Sequence, residues 1–96
     1  MPAYVIFHVE VTDEEQFERY SAAAPPTIAA AGGRLLARGG PITTLEGEAP
    51  AGRTVVLEFP DHQAAVDWFH SEEYTAARAL REHAATGSMY LVDGVA

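Results

Sequence analysis

The sequence predicts an α+β domain of βαββαβ order, on three observations. Four short segments, residues 4–11, 34–38, 53–59 and 88–95, combine β-branched or aromatic content with a period of two. Two longer stretches between them carry apolar residues at helical spacing. The order in which these elements follow one another is that of the split-βαβ, or ferredoxin-like, pattern. Right-handed crossovers then give a four-stranded antiparallel sheet in the order 4-1-3-2, with the helices on one face. Ninety-six residues make a single domain over positions 1–96.

The first strand, residues 4–11, is followed by Thr12-Asp13-Glu14-Glu15, which reads as a capping box with Thr12 as the cap. Phe17, Tyr20, Ala24, Ile28 and Ala31 form the apolar stripe of the first helix. Pro25-Pro26 predicts a kink or break, and Gly32-Gly33 predicts the stop. After the second strand, Gly39-Gly40-Pro41 punctuates the chain, residues 42–45 read as a short extra strand, and residues 46–52 as a polar connection. The third strand stops at Pro60, and Asp61 caps a helix that turns Ala65, Trp68 and Phe69 inward. Ser71 caps a further helix with Glu72 and Glu73 in its first turn, where carboxylates suit the dipole. Its stripe is Tyr74, Ala77, Leu80 or Arg81, and Ala84, with Gly87 as its end.

Composition excludes several chemistries. The chain has no Cys and no Lys, so thiolate nucleophiles, thiolate metal sites and lysine Schiff bases are absent. Its net charge of −8 with only six Lys plus Arg disfavours nucleic acid and anionic membranes as partners. The first strand is too short to span a bilayer and lacks the basic start of a signal peptide, which makes the cytoplasm the default location. His62, His70 and His83 have no metal-binding spacing, and the Gly-Gly pairs do not match a phosphate loop, so neither a metal nor a cofactor is expected. Asp13, Glu14, Glu15 and Glu18 read as a solvated first turn.

Alternation divides each strand. Val5, Phe7, Val9, Leu35, Ala37, Val55, Leu57, Phe59, Met89 and Leu91 fall on the side expected under the helices. The other side carries Tyr4, Ile6, His8 and Glu10, then Arg34, Leu36 and Arg38, Thr54, Val56 and Glu58, and Ser88, Tyr90 and Val92. That second face is too apolar for water, which predicts a homodimer packed sheet to sheet. On it, Arg34 and Glu58 are expected as a structural ion pair at one end of the sheet. His8, Arg38 and Tyr90 are expected together at the other end, as a candidate catalytic group: an imidazole that titrates near neutrality, a fixed cation and a phenol, suited to proton transfer beside a bound carbonyl. Trp68 with Tyr74 is a candidate aromatic wall for a ligand, though core packing explains it as well.

Taken together, several segments carry a family resemblance. They are Val9-Glu10-Val11-Thr12-Asp13, the Phe17 and Tyr20 spacing, Gly33-Arg34 with Arg38-Gly39-Gly40, Leu45-Glu46-Gly47, and Val56-Leu57-Glu58-Phe59-Pro60. Ala65, Trp68, Ser71, Tyr74, Arg81, Val92 and Gly94 complete them. The chain resembles the family called domain of unknown function 1330. The resemblance implies the dimeric α/β-barrel superfamily, in which two ferredoxin-like protomers pack sheet to sheet, and adds Tyr20 and Ser71 to Trp68 and Tyr74 as ligand-binding candidates. It implies no single activity, because that superfamily holds cofactor-independent monooxygenases, isomerases and plain binding proteins alike. Two readings follow: a cofactor-independent enzyme, monooxygenase-, isomerase- or cyclase-like, acting on a small carbonyl or aromatic substrate, or a non-catalytic homodimeric module that binds a small ligand or only associates.

Overall fold

The computed structural model describes residues 1–95. Its elements run β1 (Ala3–Val11), α1 (Glu14–Ala30), β2 (Arg34–Arg38), β3 (Arg53–Phe59), α2 (His62–His70), α3 (Glu72–Ala79) and β4 (Ala85–Asp93). The strands form one sheet in the order β2-β3-β1-β4, with every neighbouring pair antiparallel. This is the expected 4-1-3-2 order read from the opposite edge, and the architecture is the ferredoxin-like α+β arrangement.

The alternation of β1 and β3 explains the core. Val5, Phe7 and Val9 from β1 and Leu57 and Phe59 from β3 are buried on one face of the sheet. Phe17, Tyr20, Ala24 and Ile28 of α1 pack onto them at helical spacing, joined by Ala65 and Trp68 of α2 and by Tyr74 and Ala77 of α3. Burial of these apolar side chains is the main favourable term for a chain of this size. Asp61 and Ser71 cap α2 and α3 as expected, accepting from the amides of Ala64 at 2.8 Å and Tyr74 at 3.1 Å.

Several expectations are corrected by the packing. Asp13, not Thr12, caps α1, accepting from the Gln16 amide at 3.1 Å. The amides of Thr12 and Asp13 both donate to the Ala84 carbonyl, which holds Thr12 outside the helix. The helix also runs unbroken through Pro25 and Pro26. Both prolines are exposed, so water can take the carbonyls left without amide partners, while Ala24 and Ile28 hold the helix to the sheet. Residues 42–45 form no strand. Gly87 lies inside β4 rather than ending a helix; α3 already stops at Leu80, and a Cβ at Gly87 would run into the His8 carbonyl. Gly32 does serve the stop after α1, with φ +80°.

The correction with the largest consequence is in β2. Arg34 faces Glu58 and Leu35 faces Leu57, but Ala37 faces Val56 and Arg38 faces Val55. One extra residue, Leu36, bulges out of the ladder and reverses the alternation beyond it. Ala37 therefore turns to the outer face, and Arg38 shares the helix-side face with Val55.

Candidate functional site

Between α1 and the sheet lies a cavity of about 520 Å³. It opens because α1 presents small residues, Ser21, Ala24 and Ala29, above the exposed edge strand β2, where bulkier side chains would have closed the layer. Its body is lined by Phe7, Phe17, Ile28, Leu35, Leu57 and Met89, and one wall by Tyr20. This volume is that of a small-molecule site, and its lining is the mostly apolar kind with a few polar groups that such sites show.

Of the three arginines on the cavity, Arg34 borders it from the start of β2, and the other two meet where β2 ends and β3 begins. Arg38, Gly39 and Arg53 all line the cavity there. Arg53 donates to the Glu14 carboxylate in the first turn of α1, and its guanidinium lies over the Phe17 ring at 5.6 Å. Arg38 has no carboxylate partner among the described residues. Among the described residues no His, Asp or Glu lines the cavity.

Beside the Tyr20 wall sits a polar cluster in the core. The hydroxyls of Tyr20 and Tyr74 are 2.7 Å apart, and the Arg81 guanidinium donates to the Tyr74 hydroxyl at 3.3 Å. The same guanidinium lies over the rings of Phe7 and Tyr20, at 4.7 and 5.0 Å. Its Nε is buried without a hydrogen-bond partner among the described residues. Burial first, and then the neighbouring Tyr74, push the Tyr20 phenol well above its usual range. Tyr20 is therefore a neutral hydroxyl that can donate but does not act as a base near neutrality.

The residues expected as a catalytic group are divided between two faces. His8 and Tyr90 are together on the outer face: the Thr54 hydroxyl lies 3.2 Å from His8 Nδ1, and the Tyr90 hydroxyl 3.4 Å from Nε2. Arg38 is not with them, because the bulge at Leu36 turns it through the sheet. Arg34 and Glu58 do pair on the outer face, at 2.7 Å, with Arg34 71% and Glu58 23% exposed. Of the ligand candidates, Tyr20 lines the cavity. Trp68 and Tyr74 pack on each other with ring centroids 4.0 Å apart, and both are buried in the core. Trp68 also borders a hollow of about 180 Å³ beside α2. The Ser71 hydroxyl is engaged twice, donating to the Trp68 carbonyl at 2.7 Å and accepting from the Tyr74 amide.

One cavity group, Arg53, and the core role of Arg81 escaped the sequence reading. Arg53 has the same parity as Val55, Leu57 and Phe59, so the alternation itself places it under α1. Arg81 falls on the apolar stripe of Tyr74, Ala77 and Ala84, and a cation on such a stripe is a signal for a buried role. Among the described residues no group of three or more His, Cys, Asp or Glu could hold a metal ion, and no helix is long and apolar enough to cross a membrane.

Comparison with known proteins agrees with the fold. The family model "Domain of unknown function (DUF1330)" matches residues 2–95. A solved protein of unknown function from Rhodopseudomonas palustris is similar with a TM-score of 0.79 at 17% identity, covering 99% of this chain and 83% of that one. SnoaB, a cofactor-independent oxygenase from Streptomyces nogalater, is similar with a TM-score of 0.66 at 15% identity, covering 99% and 94%. A dimeric protein of unknown function and ferredoxin-like fold from Bacteroides fragilis has a TM-score of 0.53 at 13% identity, covering 93% of each chain. No curated protein matches.

Proposed function

The chain belongs to the domain of unknown function 1330 family, and on that premise we propose that it is a homodimeric protein that binds a small aromatic or carbonyl-bearing molecule in the cavity under α1. The cavity carries this reading: about 520 Å³, apolar along its length, with Arg38 and Arg53 at one end. An apolar body gains by leaving water there, and a polar group gains a charge-assisted hydrogen bond at the arginine end. Binding is favoured over acid–base catalysis because, among the described residues, no carboxylate or imidazole side chain lines the space.

The outer face supports the dimer. Val56, Ile6 and Tyr90 stand side by side across three strands, as do Tyr4 and Val92 on two. Tyr90 and Val92 are 52% and 50% exposed. An apolar face of this extent suits a second copy of the sheet. In that assembly the His8, Thr54 and Tyr90 group is an interface network rather than part of the cavity.

A second reading is a cofactor-independent enzyme, and two observations favour it. The fold is similar to that of SnoaB, whose described activity is cofactor-independent oxygenation. The arginine end could also stabilise negative charge on a substrate oxygen, a task that needs no protein base when the substrate is acidic enough to give its proton to water before it binds.

The test is a melting curve of the full chain against a panel of aromatic acids, ketones and lactones. At saturating concentration a cavity ligand raises the melting temperature by several degrees, with the rise growing with concentration. A panel that leaves the melting temperature unmoved would count against the reading. Oxygen uptake with the ligands that bind separates the enzyme from the binding protein.

A further inference from the structure

Resting on the cavity reading above, we infer that the ligand is an amphipathic monoanion with a ring-sized apolar body and one carboxylate, and that Glu14 stands in for that carboxylate on Arg53 when the cavity is empty. Three charged side chains line the cavity, Arg34, Arg38 and Arg53. The guanidinium of Arg34 is bound to Glu58 on the outer face, and that of Arg53 is bound to Glu14. Among the described residues, Arg38 is left as the single uncompensated charge of the three. One charge calls for one anionic group. The chain as a whole, with a net charge of −8, repels polyanions such as nucleotides.

The Arg53–Glu14 pair has the form of an exchangeable latch. Its partners are 40% and 66% exposed, and an ion pair this open to water is weak. The two sides are held unequally. The Arg53 stem runs beside Gly39, where a Cβ would stand 3.4 Å from Arg53 Cδ, and its head lies over Phe17. Glu14 is the more exposed partner, at the first position of α1. It can swing into water and still face the positive end of the helix dipole. An arriving carboxylate therefore displaces Glu14 while Arg53 stays where it is, and it meets Arg38 and Arg53 together. A neutral ligand gains nothing from the exchange.

The experiment titrates the full chain with 2-naphthoate and with 2-naphthamide, the uncharged counterpart of the same size, by calorimetry. The acid binds about tenfold more tightly than the amide, the scale of a charge-assisted hydrogen bond. Arg38→Gln removes most of the acid's advantage over the amide and leaves only the share that Arg53 holds. Glu14→Gln removes the competitor for Arg53 and raises the affinity for the acid several-fold without changing the amide. Equal binding of acid and amide to the unaltered chain would overturn the monoanion assignment while leaving the cavity reading intact. An acid affinity unmoved by Glu14→Gln would overturn the latch. If neither probe binds, the cavity reading fails, and this inference fails with it.

Discussion

Tyr20 on α1 and Tyr74 on α3 join their hydroxyls at 2.7 Å inside the core, and the Arg81 guanidinium reaches the pair from the turn after α3. Each hydroxyl answers the other's need for a partner out of water. Tyr74→Phe leaves the Tyr20 hydroxyl without its partner and the Arg81 guanidinium without its acceptor, and a loss of about 1–3 kcal/mol is expected in urea unfolding.

The same pair sets an alkaline limit on stability. Burial raises the Tyr20 phenol above its usual value of 10.0 in the folded chain, whereas the unfolded phenol titrates near that value. Below pH 10 neither state releases the proton, and the stabilisation is complete. Above it the unfolded state alone ionises, so stability falls as pH rises, by up to about 1.4 kcal/mol per pH unit for this one group. Unfolding midpoints followed into the alkaline range should show this limb, and Tyr20→Phe should flatten it.

Arg34 and Glu58 offer a probe of what covers the outer face. Left to water, a pair with Arg34 71% exposed couples by less than about 1 kcal/mol. Covered by a second sheet, removal of either residue alone strands the other charge, and the coupling exceeds that value. A double-mutant cycle made at protein concentrations above and below dimer dissociation should give the larger coupling only above it.

Val56 lies at the middle of the outer face, opposite Ile6. Val56→Asp places an unpaired charge in the expected interface, and sedimentation should show a folded monomer or loss of the folded protein. A dimer of unchanged stability would remove this face from the assembly.

The βαββαβ order, the strand pairing and most of the core were legible because β1, β3 and α1 hold their periods without interruption from Val5 to Val9, from Val55 to Phe59 and from Phe17 to Ile28. The cavity was not legible, for a local reason. Residues 34–38 form a short edge strand whose five positions are all exposed, and no burial pattern there reveals an extra residue. A bulge costs little on such an edge, yet it moves Arg38 from one face to the other. The Thr12 cap failed similarly. Thr12 and Asp13 are both good caps, and the choice between them is made by the Ala84 carbonyl, more than 70 residues away in sequence.

The central claim is that ligand sits under α1 and not on the outer face, and the dissociation constant of 2-naphthoate in two variants tests it most directly. Ser21→Trp puts a large side chain into the cavity from α1, and His8→Ala removes the centre of the outer-face network. Both substitutions start from side chains that are only partly buried, and melting curves verify that each variant is folded. The account predicts that Ser21→Trp weakens binding by at least about tenfold, while His8→Ala changes it by less than about twofold. Binding that survives Ser21→Trp and is lost in His8→Ala would contradict it.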